Sequence, residues 1–154
     1  MNANELSEIL HKHSLWLNDD PEGEKADLSR ANLREVNLSR IDLRGAILRG
    51  ADLRWTDLSF ADLSWADLSE ANLRGAILPR AYLIGAILRG ADLRWTDLSF
   101  ADLSGSDLSE ANLSGAILHW ADLRGAILSL TNLSGAKLDD ADLIGAVIIG
   151  TVIR

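Results

Sequence analysis

Residues 26–55 read ADLSR ANLRE VNLSR IDLRG AILRG ADLRW, and this stretch decides the fold. The same five-residue unit runs from Ala26 to Gly150, which makes 25 pentads, and TVIR (Thr151 to Arg154) follows as a partial twenty-sixth. Leucine holds the third position in 24 of the 25, from Leu28 to Leu143, and Ile148 holds it in the last. Alanine opens 19 of them; the exceptions are Val36, Ile41, Thr56, Thr96, Ser106 and Thr131, all small or β-branched.

Positions one and three lie two residues apart, so in extended backbone they share a side. A small residue and a leucine therefore face inward, and position two faces out. An odd period cannot sustain a plain alternating strand, so each pentad must bend at positions four and five. Eleven of the 12 glycines stand at position five, which marks a corner with positive φ. A helix is excluded, because leucine at every fifth residue drifts around a 3.6-residue turn and builds no stripe. One pentad cannot bury its own leucine. Stacked coils can share a continuous core, so the pattern predicts an all-β solenoid.

The number of sides follows from a longer repeat. Residues 46–78 match residues 86–118 at 30 of 33 positions, an offset of eight pentads. If the duplication preserves the face of each side chain, eight pentads are a whole number of turns; four sides fit and three do not. These tandem A(D/N)LXX units resemble the pentapeptide-repeat family over residues 26–154. The resemblance implies a right-handed quadrilateral β-helix of about six coils, stacked at roughly 4.8 Å per coil.

Residues 1–25 stand outside the repeat and are expected to form an N-terminal cap. Leu6, Ile9, Leu10 and His13 have the spacing of a short amphipathic helix, and Asn2 with Glu5 resembles a capping box. Trp16, within Leu15–Leu17, is expected to pack as part of this lid. At the other end, Ile148 and Ile153 keep the core register, flanked by Val147, Ile149 and Val152. This apolar coil calls for a cover. The expectation is a homodimer joined through these five residues.

Composition narrows the chemistry. The 154 residues include no cysteine, which excludes disulfides and thiol chemistry. No apolar run approaches the roughly 20 residues of a membrane-spanning helix. The acidic N-terminus does not read as a signal peptide, and a cytoplasmic location is expected. The net charge of −8 argues against direct binding of nucleic acid or anionic membranes. His11 and His13 diverge on a helix, and His119 stands alone, so no metal site is expected. No phosphate loop, dinucleotide fingerprint or catalytic constellation appears, and the Ser-to-Asp spacings are those of the repeat itself. No enzyme activity and no cofactor are expected.

What remains is the surface. Pentads four apart stack, so outward positions form columns. Arg34, Arg54, Arg74 and Arg94 make one, and Asp42, Asp62, Tyr82, Asp102, Asp122 and Asp142 another. Arg54 and Arg94 lie two residues from Asp52 and Asp92, which suggests a mutually neutralised surface. Trp55, Phe60, Trp65, Trp95, Phe100 and Trp120 all occupy position five and should be exposed at corners, with Arg80 between the two phenylalanines. Exposed aromatics mark partner-binding patches. The expected function is a non-enzymatic interaction module that presents side-chain columns to a protein partner. The resemblance carries an alternative, since quinolone-resistance members of the family mimic DNA and bind DNA gyrase. The tube holds 17 acidic and 13 basic residues, a weak likeness to a polyanion. The sequence also lacks phenylalanine at position three and any loop insertion between coils.

Overall fold

The computed structural model describes residues 1–153; Arg154, the end of the partial pentad, lies outside the described residues. From Asp27 onward the position-two residues pair as parallel bridges: Asp27 with Ile47, Asn32 with Asp52, Asn37 with Asp57, Asp42 with Asp62, and so on to Asn132 with Val152. Every pair is 20 residues apart, so one coil is four pentads and the tube has four sides. Each side contributes one bridged residue per coil before the chain turns.

The backbone donors of a pentad account for this geometry. The amide of Leu93, at position three, donates to the Asn112 carbonyl of the next coil at 2.8 Å. The amide of Asp92, at position two, donates to the Ala71 carbonyl of the preceding coil at 2.9 Å. The amide of Trp95, at position five, reaches the Ser114 carbonyl at 3.2 Å. The amide of Ala91, at position one, closes a turn onto Leu88 at 3.0 Å. Position four remains, and its amide donates within the pentad: Arg94 to Asp92 Oδ1 at 3.2 Å, Ser99 to Asp97 Oδ1 at 3.0 Å. Where position two is Asp or Asn, its side chain thus satisfies the one amide of the pentad that has no backbone acceptor.

Position five carries the corner. Its φ lies between 57° and 73° in all 25 pentads, as the third residue of a type II turn requires. The positive φ expected from glycine is therefore imposed equally on 14 residues that are not glycine, including Trp55, Phe60 and Arg80. Each such residue carries roughly 1 kcal/mol of backbone strain. The stacked coils hold these corners against that strain.

Inside, the alanines and leucines form one unbroken apolar core from Ala26 to Leu133. Threonines at position one are accommodated because their hydroxyls find carbonyls: Thr56 donates to Leu33 at 2.7 Å and Thr131 to Leu108 at 2.8 Å. The N-terminal end is closed by α1 (Ala3–Leu17), started by a capping box between Asn2 and Glu5. Leu6, Ile9 and Leu10 pack against the core. His13 is wholly buried and its Nδ1 accepts the Ala26 amide at 3.1 Å, which pins the helix to the first pentad. Its ring stacks on Trp16, which rests over Gly45. Trp16 is 39% exposed against 51% for Trp55, so the lid tryptophan is the more covered of the two. At the opposite end Leu138 and Leu143 are half-buried, while Val147, Ile148, Ile149, Val152 and Ile153 are exposed.

Candidate functional site

The corner geometry brings the six aromatics to three successive edges of the tube, all exposed. They meet their neighbours in two ways, set by the residue one coil further along. On the edge of Trp55 and Trp95 the following residues are Gly75 and Gly115, and each indole fills the space a side chain there would take. Trp65, alone on its edge, fills the space at Gly85 in the same manner. These three rings lie across neighbouring corners, and the tube supplies one side of their packing.

The middle edge differs. Its position-five column reads Arg40, Phe60, Arg80, Phe100, Trp120 and Asp140, with no glycine. Cations and rings alternate along it. The Arg40 guanidinium lies 5.0 Å from the Phe60 ring centre, and Arg80 lies 5.9 Å from Phe60 and 5.3 Å from Phe100. Phe100 and Trp120 are parallel, 6.4 Å apart and inclined by 5°. The structure thus groups Phe60, Phe100 and Trp120 on one edge, pairs Trp55 with Trp95 on the preceding edge, and leaves Trp65 apart on the next.

The face between the first two edges carries Asn37, Asp57, Ile77, Asp97, Ile117 and Lys137 at position two. On the neighbouring faces the charges are paired. Arg54 meets Asp52 at 2.5 Å, Arg94 meets Asp92 at 2.5 Å, and Arg44 meets Asp42 at 2.7 Å. Hydrogen bonds from these guanidinium groups hold the Asp52, Asp92 and Asp42 carboxyls below the usual range. Arg74 follows Asn72 instead of an aspartate, and its guanidinium stacks over Trp95 at 4.3 Å. The sequence placed these arginines in a column. Arg54 and Arg94 turn to the aspartate two residues before them, and an aspartate at position two of the same pentad is the signal that would have found these pairs. His119 lies 3.0 Å from Asp139 and His11 is exposed; among the described residues no cluster of side chains suits a metal ion.

A four-sided tube made of tandem pentads, with most of its residue variety on the outside, defines a repeat scaffold. The family model Pentapeptide repeats matches in eight copies over residues 26–64, 61–99, 91–129 and 126–154. The chain belongs to the pentapeptide-repeat family, and its fold is the right-handed quadrilateral β-helix with one N-terminal helix. Among solved structures it is similar to the pentapeptide repeat protein Rfr23 from the cyanobacterium Cyanothece 51142, at 28% identity over 97% of this chain and 99% of that one, with a TM-score of 0.48. HetL from Nostoc sp. strain PCC 7120, a pentapeptide repeat protein involved in heterocyst differentiation regulation, is 33% identical over 85% of this chain and 73% of that one, with a TM-score of 0.42. QnrB1, a plasmid-mediated fluoroquinolone resistance protein, is 19% identical over 85% of this chain and 84% of that one, with a TM-score of 0.49. The comparison with curated proteins gives no match.

Proposed function

We propose that this protein is a non-enzymatic interaction module whose partner docks on the aromatic edges of the tube. The observation that carries this reading is the edge formed by Phe60, Phe100 and Trp120, where exposed rings are already held in fixed positions. Aromatic side chains held rigid before binding lose little entropy on docking and are favoured as anchors. Partner capture by the wild type and by a Phe100→Ser/Trp120→Ser variant tests the reading. The variant should lose the partner while its circular dichroism is unchanged; equal capture by both would reject the edge as the docking site. The gyrase alternative draws less support from this surface, because the arginines of the tube neutralise neighbouring aspartates.

We further propose that the apolar residues Val147, Ile148, Ile149, Val152 and Ile153 are covered by a second copy of the 154-residue chain. A two-fold axis would set the same five residues of each copy against each other. Ile148 is 45% exposed although it stands in the core register. Light scattering should give a dimer for the wild type and a monomer for an Ile148→Lys/Ile153→Lys variant. A wild type that stays monomeric at high concentration overturns the proposal.

A further inference from the structure

The middle edge follows a rule that it breaks at one end. Phe60 has a guanidinium on each side, from Arg40 and Arg80. Phe100 has Arg80 on one side and the parallel Trp120 ring on the other. Trp120 thus has the parallel Phe100 ring on the side of the preceding coil, and at the same corner of the next coil stands Asp140. Among the described residues no cation lies over the Trp120 ring, which is 59% exposed.

The neighbourhood of that ring is acidic and one carboxylate is uncommitted. Asp139 is taken up by His119 at 3.0 Å, and Asp142 lies 3.8 Å from Arg124. Asp140 forms no ion pair among the described residues. Lys137, the basic residue of the same pentad, stands at mid-face and not at the corner. A ring face attracts positive charge through its quadrupole, and a carboxylate one coil away attracts the same charge. A purely apolar partner would instead strip water from Asp140 and leave it without compensation.

We propose that the outer face of Trp120, together with Asp140, receives an arginine side chain of the partner, continuing the cation–ring alternation of the column in trans. The proposal rests on the docking edge described above and names the chemistry of the group that seats at its end. Arginine fits better than lysine, because a planar guanidinium stacks on a ring while its edge donates to a carboxylate. The column's own fillers, Arg40 and Arg80, are of this type.

The test uses the full chain labelled with nitrogen-15 and two short probes, acetyl-Gly-Arg-Gly-amide and its citrulline counterpart, which keeps the planar shape without the charge. The arginine probe should shift the Trp120 indole resonance and leave those of Trp55 and Trp65 in place. The citrulline probe should bind roughly fivefold more weakly, the scale of an exposed cation–ring contact. Asp140→Asn should weaken the arginine probe by a similar factor, and Trp120→Leu should abolish the effect. Both positions are exposed, so both variants keep the fold. Equal affinity of the two probes, an Asp140→Asn variant as good as wild type, or equal shifts at Trp55 would each overturn the proposal. If the probes fail while the partner still depends on Phe100 and Trp120, the arginine is rejected and the docking edge stands. If the probes bind as expected but the partner ignores that double variant, the docking edge is rejected.

Discussion

The indole of Trp55 occupies the space that a side chain at Gly75, the same corner one coil further on, would need. Large and absent side chains are thus matched between coils. Gly75 also sits at φ 68°, so alanine there meets both backbone strain and the ring. Gly75→Ala should cost about 2–4 kcal/mol, as the sum of a left-handed backbone and overpacking. Gly125→Ala, at φ 65° with nothing near its added methyl group, should cost only about 1 kcal/mol. Urea melts of both, and of Trp55→Ala/Gly75→Ala, separate the two contributions. The double variant should lose the packing part and retain the backbone part; a clash that survives removal of the indole contradicts the geometry.

Leu93 is buried in the core, and its neighbour Arg94 lies at the surface beside Asp92. Leu93→Ala should cost about 2–5 kcal/mol through the cavity it leaves. Arg94→Ala should cost no more than about 1 kcal/mol, the range of an exposed ion pair. Comparable losses in denaturant melts would show that the inward register is misassigned.

At position two the Oδ1 atom matters more than the charge. Asp97 accepts the Ser99 amide at 3.0 Å, and Asn112 accepts the Ser114 amide at the same distance. Asp97→Asn should therefore be close to neutral, whereas Asp97→Ala should lose about 0.5–1.5 kcal/mol, the worth of one hydrogen bond. If both variants lose the same amount, the aspartate contributes through its charge and the hydrogen bond is secondary.

Mild acid should loosen the cap. Burial holds the His13 pKa below 6.5; nearby Lys25 and Arg44 lower it as well, and Asp42 opposes them. A proton on Nδ1 would also face the Ala26 amide donor to donor. With the folded value below the unfolded one, the unfolded chain binds the extra proton first. The stabilisation is complete above about pH 6.5 and is lost as the pH falls below it. Urea midpoints at pH 7.5 and 5.5 should fall further for the wild type than for His13→Leu. Parallel declines in the two proteins would remove His13 as the cause.

Leu28 to Leu143 made the fold legible, because a period of five excludes a helix and a plain strand and leaves only a coil that turns. The 40-residue duplication made the number of sides legible, and the bridges at 20-residue spacing agree with it. Other features were hidden for physical reasons. Glycine announced the corners, but Trp55 or Arg80 in the same conformation has no local preference for it; the stacked neighbours impose it. Asp92 read as surface charge, because one polar letter serves equally for solubility and for closing a turn. The six aromatics were placed outside correctly. That Trp55 lies over Gly75 while Phe100 stacks on Trp120 depends on the residue one coil away, a relation that becomes visible only once the coil length is known. His13 read as one more position on the helix stripe, and only its packing against Ala26 shows that it fastens the cap.

The backbone hydrogen bonds between coils run along the tube, joining residues 19 or 21 apart, as in Leu93 to Asn112 and Asp92 to Ala71. A force applied to the two ends of the chain therefore loads them in opening, one coil at a time, and not in shear. Held in an optical trap, the tube should yield by peeling in equal steps. Each step would release 20 residues, or about 65–70 Å of extended chain, at a force well below that of proteins whose strands must slide past one another. A rod that is stiff against bending would in this way be soft to a pull on its own termini, and a motor that unthreads chains from one end would meet a series of small barriers where a sandwich or a sheet presents one large one.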